Sequence, residues 1–222
     1  MTEQLSFINE EFFSFQAAPA QMDALWREGW RHFGAHFFRY NLGFYEYEIR
    51  RVVPLRIRLA DFKFSKSQRR VFNKNRDLET VIRPVRIEAE KEKLFERHKR
   101  RFKSGVPDSI YDFLSGEPAA VPCEALEACV YEQGNLLAAS FFDVGKESIS
   151  GIYAMFEPSA EKRSLGILTM LLEIRWALEN GKKFYYSGYA YEGNSFYDYK
   201  KRFSALEVFD WNGNWENFES DV

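Results

Sequence analysis

Apolar positions change their spacing along the chain, and each change predicts an element. In residues 164–181, SLGILTMLLEIRWALENG, Leu168, Leu171, Leu172, Ile174, Arg175 and Leu178 recur at helical spacing, with Ser164 at the start and Gly181 at the stop. Ahead of this helix, ALEACVYEQ and LLAASFFDV are apolar runs joined at Gly134-Asn135, which predicts a hairpin, and SISGIYAMFEP predicts a third antiparallel strand. KFYYSGY predicts a short strand leaving the helix, so the second half has the order β-β-β-α-β. In the first half, DALWREGW at 23–30 predicts a helix ending at Gly29, and HFGAHFFRY and FYEYEIRRVVPLRIRLADF predict β structure. Pro54 makes the second of these runs an edge strand or two strands, because proline cannot donate to a ladder. SKSQRRVFNKN at 65–75 predicts a helix capped by Ser65, TVIRPVRIE an extended segment, and residues 89–103 a charged helix with Leu94, Phe95, His98 and Phe102 on one side. Residues 104–122, with three prolines, predict a connecting segment.

The 222 residues include 45% hydrophobic and 18% aromatic side chains, enough for a continuous core, which excludes wholesale disorder. No apolar run approaches the roughly 18 residues of a spanning helix, and the acidic start MTEQLSFINEEFF lacks the basic region of a secretory signal. The expectation is a soluble, cytoplasmic protein with no membrane partner. The net charge of -2 hides an asymmetry: residues 50–103 hold 19 basic and 7 acidic side chains, against 9 and 19 in residues 104–222. Between 50 and 76, ten lysines and arginines face the single acid Asp61, a concentration that suits a polyanion.

Metal-ligand spacing is absent. Cys123 and Cys129 stand six positions apart without a nearby histidine, and His32 and His36 fall in a β segment, where i and i+4 lie two pleats apart, so no metal is expected. Two other segments carry candidate chemistry. Arg163 and Gly166 have the spacing of half a pyrophosphate loop at a helix N-terminus, although Leu168 would crowd a pyrophosphate there. The segment SKSQRRVFNKNRDL places Arg69 and Arg70 on divergent sides of any regular element, so one could bind phosphate while the other bonds protein. The β-β-β-α-β order is itself that of N-acyltransferases that hold an activated acyl donor in a cleft of a mixed sheet.

Together these pieces resemble the aminoacyl-tRNA protein transferases, whose arginyl and leucyl members add an amino acid to protein N-termini. The resemblance rests on Gly29-Trp30-Arg31-His32-Phe33-Gly34 with Phe37-Phe38-Arg39, on Ser65-Lys66-Ser67-Gln68-Arg69-Arg70 with Asn75-Arg76-Asp77-Leu78, and on Phe142-Asp143 followed by Ser150-Gly151-Ile152-Tyr153. Glu157-Pro158, Ser164-Leu165-Gly166, Tyr185-Tyr186-Ser187-Gly188-Tyr189 and Tyr199-Lys200 with Phe203 follow in the family's order, so the likeness covers residues 25–208. Family members usually carry metal- or cluster-binding cysteines near the chain start and after the Phe-Arg element. Here Tyr40 and Asn41 follow Arg39, and the first 22 residues hold no cysteine.

The resemblance implies an α/β (α+β) GNAT-like acyl-CoA N-acyltransferase fold, a mixed sheet flanked by helices, with a smaller β-rich N-terminal part. Residues 1–103 would complete the transferase fold, 104–122 connect, and 123–222 form the core. It implies aminoacyl-tRNA as co-substrate, the N-terminal amine of an acceptor protein as nucleophile, no further cofactor, and a monomer. On that basis Ser67, Gln68, Arg69, Arg70 and Arg76 are assigned to tRNA phosphates or an acidic acceptor residue. As catalytic groups, Asp143 and Tyr153 would line the cleft where amine and ester meet, Asp143 attracting or deprotonating the ammonium, and Lys200, with Tyr199, would hold the ester or terminal adenosine. Two alternatives remain open at this point: a coenzyme A-dependent acetyltransferase and a non-enzymatic RNA-binding module.

Overall fold

A computed structural model describes residues 6–103 and 105–218; Ser104, the first residue of the expected connecting segment, lies outside them. In chain order the elements are β1 (Asn9–Phe13), α1 (Pro19–Arg27), β2 (Arg31–Phe33), β3 (His36–Tyr40), β4 (Leu42–Tyr45), β5 (Glu48–Arg58), α2 (Lys66–Lys74), β6 (Glu79–Pro84) and α3 (Ala89–Lys99). The second half supplies β7 (Ala125–Glu132), β8 (Asn135–Val144), β9 (Ser148–Phe156), α4 (Leu165–Glu179), β10 (Phe184–Tyr191), β11 (Leu206–Phe209) and β12 (Trp215–Asn217). Among the described residues no helix is long and apolar enough to cross a membrane.

The main sheet runs β12-β11-β5-β10-β9-β8-β7-β6, with β4 pairing onto β5, and a small second sheet runs β1-β3-β2. Strands β7, β8 and β9 are consecutive and antiparallel, and β10 returns through α4 to pair parallel with β9. This is the expected β-β-β-α-β order in a mixed α/β sheet. Helices cover both faces, so strand residues are buried in either direction: neighbours Phe141 and Phe142 on β8 are both 0% exposed and belong to different cores. One core lies under α4 and α2, the other under α3. The N-terminal part is woven into the same sheet, since β5 lies between β10 and β11 and β6 forms its far edge.

Two local expectations are corrected. The β7–β8 turn is Gln133-Gly134, both with positive φ, and Asn135 already belongs to β8. Pro54 sits inside a single eleven-residue strand that is interior over Leu55–Ile57, where β11 and β10 flank it. The Val52 N–H reaches Asn41 O and the Arg58 N–H reaches Ala205 O. By strand alternation the Pro54 nitrogen faces that same side, at the gap between β4, whose pairing ends at Arg51, and β11, whose pairing begins at Leu55. The missing N–H therefore interrupts no ladder.

The cationic segment is also divided by the fold. Arg56 donates to Glu207 at 2.6 Å and lies between the Phe184 and Trp215 rings, and Arg58 donates to Glu207 at 2.9 Å and to Asp61 at 2.5 Å. These two hold β5 to β11. Lys63, Lys66, Arg69, Arg70 and Arg76 remain exposed on and around α2.

Behind β9, the Tyr185 hydroxyl donates to Glu173 of α4 at 2.7 Å, and burial raises the Glu173 carboxyl to about 7 despite that bond. The unfolded chain loses this proton near 4.5. Between those values the folded state binds more protons, so stability falls as pH rises through the window. The variant Glu173→Gln is expected to remove this fall, a differential on the order of 3 kcal/mol between pH 4.5 and 8. Urea midpoints for both proteins at the two pH values check it; parallel curves would show that Glu173 does not titrate there.

Candidate active site

Strands β9 and β10 pair only over Ser148–Ser150 and Phe184–Tyr186 and then part, with the ladder of β10 onto β5 slipping between Tyr186 and Gly188. The separation opens a cleft of about 870 Å³ bounded by the start of α4, the β2–β3 hairpin and the turn at 196–202. Its floor is built by Arg31, the first residue of β2. Arg31 donates from one terminal nitrogen to Ser150 Oγ and from the other to Gly151 O, where β9 leaves β10. Burial lowers the Arg31 pKa, opposed by Tyr189 and Asp143.

Lys200 comes from the turn at 196–202. Its ammonium donates to Tyr189 O at 3.0 Å and lies 5.2 Å from the centre of the Tyr197 ring. Burial, and then the Arg31 charge, bring its pKa down to about 7. Gly188 separates the two cations: with φ +92°, a Cβ there would stand 3.2 Å from Lys200 Nζ and 3.7 Å from Arg31. Glycine is required by both the backbone and the space. Ser187 Oγ, also lining the cleft, is buried without a hydrogen-bond partner.

The opposite half of the cleft is mostly apolar, with the Arg101 guanidinium 4.3 Å from the centre of the Phe156 ring. Tyr153 stacks on Phe113 with ring centres 3.9 Å apart, its hydroxyl is buried without a partner, and burial raises its pKa. Ile152, Phe156, Ile167 and Met170 complete this wall, and burial lowers His98 beside it to about 4, so the imidazole is neutral. Glu161 is the one acid among the described lining residues.

Tyr153, Tyr199 and Lys200 line the cleft, and burial pushes the Tyr199 phenol up to about 12. Asp143 does not line it. At 1% exposure it lies beneath, accepting from His32 Nε2 at 2.7 Å and from Cys123 Sγ at 3.6 Å. His32 Nδ1 donates to Gly34 O at 2.9 Å, so the imidazole is held between Gly34 and Asp143. His32, Cys123 and Asp143 are buried, their possible ligand atoms lie within 4.8 Å of one another, and in this structure hydrogen bonds join them.

The α2 residues lie outside the cleft. Gln68 is buried as the capping partner of Ser65, giving the Ser65 N–H an acceptor at 2.9 Å and donating its own N–H to Ser65 Oγ at 3.2 Å. Ser67 Oγ contacts Ser65 Oγ at 2.9 Å, and Arg69 donates to Phe64 O. Arg70 and Arg76 are exposed, with no partner among the described residues. The helix nevertheless ends at the cleft mouth: Lys74 donates to Lys162 O and Asn75 to Arg163 O at 2.9 Å, in the turn whose Glu161 and Ser164 line the opening. Arg163 is taken by Asp77 at 3.0 Å and Glu132 at 2.6 Å, and Leu168 is buried, so the half pyrophosphate loop offers no free cation.

The profile of the family described as arginine-tRNA-protein transferase, C terminus, matches residues 90–210, more than half of the chain. The chain belongs to this family. An aspartate/glutamate leucyltransferase of Xanthomonas euvesicatoria is 36% identical over 177 residues, 74% of this chain and 70% of that one. One of Xylella fastidiosa is 31% identical over 175 residues, 71% and 65% of the two chains. Among solved structures, L-PGS from Bacillus licheniformis gives a TM-score of 0.49 at 17% identity, over 84% of this chain and 55% of that one. For this transferase-family chain, the cleft adds Arg31, Ser187, Gly188 and Tyr189 to the residues assigned from sequence. Their signal was present in Gly29-Trp30-Arg31-His32 and in Tyr185-Tyr186-Ser187-Gly188-Tyr189. Neither block says which of its side chains turns inward.

Proposed function

We propose that this chain transfers leucine from leucyl-tRNA to the N-terminal amine of proteins that begin with aspartate or glutamate. The observation that carries this reading is the cleft at the parting of β9 and β10, which unites the convergent Arg31 and Lys200, unpartnered hydroxyl donors and a mostly apolar wall. Family membership supplies the reaction class. The wall favours a leucyl over an arginyl donor, because a guanidinium entering it would meet no buried carboxylate, whereas an isobutyl group meets Ile152, Phe156, Ile167 and Met170.

An acceptor α-amine with a pKa near 8 is about one-tenth unprotonated at pH 7, and the neighbouring Arg31 and Lys200 charges lower that pKa further. The free amine attacks the ester carbonyl, negative charge develops on the carbonyl oxygen, and the terminal ribose leaves with a proton. The buried hydroxyl of Tyr153 is available to that oxygen. No covalent intermediate on the protein is needed. The exposed cations of α2 at the mouth suit the acceptor-arm phosphates.

The test incubates the protein with leucyl-tRNA or arginyl-tRNA and peptides beginning with Asp, Glu or Ala. Label from leucyl-tRNA on the acidic peptides is expected; failure of leucyl transfer by the folded protein overturns the reading. In the same assay, Arg70→Ala and Arg76→Ala are each expected to raise the KM for leucyl-tRNA several-fold with little change in kcat. Each should also flatten the dependence of log(kcat/KM) on log salt by about 0.9. An unchanged salt slope in both variants would remove α2 from the tRNA surface.

A further inference from the structure

Of the three cations that line the cleft, Arg101 stacks on Phe156, while Arg31 and Lys200 converge with no acid between them among the described residues. Lys200 uses one N–H on Tyr189 O, and Arg31 uses two on Ser150 Oγ and Gly151 O, which leaves further N–H groups of each uncommitted. A Cβ on Gly188 would touch both, so they border the same gap, and Ser187 next to it keeps a buried hydroxyl unpaired. The surrounding acids are engaged elsewhere. Asp143 is bound by His32 and Cys123 beneath the floor, Glu173 by Tyr185 behind β9, and Glu161 lies toward the start of α4. A gap lined by donors, with like charges side by side, is completed by an anion.

We propose that Arg31, Lys200 and Ser187 form the pocket for the side-chain carboxylate of the acceptor's first residue, and thereby select Asp or Glu over Asn or Gln. This rests on the transferase function proposed above and assigns acceptor choice to the cleft floor, leaving α2 to the tRNA. The gap lies among Tyr189, Tyr197 and Tyr199, whereas the α2 cations at the mouth are open to a bulky, hydrated phosphodiester chain.

Lys200 is the group that titrates near neutrality. The ionisable side chains around it are Arg31 from β2, Tyr189 from β10, and Tyr197 and Tyr199 from its own turn; burial raises all three phenols and leaves them protonated. Deprotonation of Lys200 above about 7 weakens the pocket for a carboxylate and leaves an amide unaffected.

The experiment measures leucyl transfer to peptides that begin with Asp or Asn and otherwise match, at saturating leucyl-tRNA, from pH 6 to 9. The same labelled peptides are titrated by anisotropy without tRNA. Lys200→Met is expected to reduce the Asp-over-Asn preference roughly 30-fold or more, through KM and through peptide Kd alike. Lys200→Arg is expected to keep most of the preference and to lose the rise in Asp-peptide KM with pH. A folded Lys200→Met protein with its preference intact overturns the proposal. So does a rise in the KM for leucyl-tRNA with the preference unchanged, which would assign the pair to an RNA phosphate. Anisotropy separates the two levels: selective binding of the Asp peptide that Lys200→Met abolishes supports the pocket even where no leucine is transferred.

Discussion

Replacing Glu127 by alanine is expected to lower the melting temperature by about 10 °C. Glu127 is 0% exposed on β7, and its carboxylate accepts from Arg83 Nε at 2.7 Å and from the Arg86 N–H at 3.2 Å and forms an ion pair with Lys91 Nζ at 3.1 Å. Lys91 is itself 0% exposed, and its other acid, Glu88, is half exposed at 3.4 Å. Removing the central carboxylate leaves a buried ammonium with only the half-exposed Glu88 at 3.4 Å, a change that costs about 3 kcal/mol, and each kcal/mol is worth about 2 to 4 °C at this chain length. The ion cluster itself adds less than this loss suggests, because desolvating the charges offsets most of their attraction. Glu127→Leu combined with Lys91→Met is therefore expected to melt much closer to the parent than Glu127→Ala. Thermal melting of the three proteins checks the pair, and equal losses in single and double variants would show that the strand packing, not the stranded charge, sets the cost.

Substituting Arg31 by methionine is expected to reduce kcat/KM for leucyl transfer to an Asp peptide by about 10²- to 10³-fold, with the melting temperature held within a few degrees. Arg31 serves the cleft twice. It ties Ser150 and Gly151 at the point where β9 turns away from β10, and it carries one of the two charges beside Gly188. Truncating one partner of a buried, charge-assisted contact costs about 3 to 4 kcal/mol, which is that range of rate. The fold tolerates the change because the apolar stem is replaced and Asp143 keeps its contacts to His32 and Cys123. Steady-state kinetics beside melting curves decide it. A loss of only a few-fold would mean that Arg31 supports the strand and leaves substrate to Lys200.

The fold was legible wherever one element's own spacing decides its burial. The apolar period of α4, the three runs of β7 to β9 and the capping box of α2 all depend on neighbours within a few residues. Pro54 was misplaced because its effect depends on which side of β5 is paired, and that is set by β4 and β11. The site was legible in part. Tyr153, Tyr199 and Lys200 lie in the cleft, while the unusual Ser-Lys-Ser-Gln-Arg-Arg block turned out to divide its work between capping a helix and presenting exposed cations.

The amino-acid sequence by itself determined the β-β-β-α-β order, the concentration of positive charge before residue 104 and the transferase likeness, all carried by residue types in their order along the chain. Only the tertiary structure decided which charges are available. Arg56 and Arg58 are neutralised by Glu207, Arg163 by Asp77 and Glu132, and Asp143 is enclosed by His32 and Cys123, each through a partner distant in sequence. Arg31 and Lys200, 169 positions apart, meet at Gly188. A charge acts on substrate only when its partners leave it free and the backbone aims it inward, and both conditions are properties of strand pairing across the whole sheet.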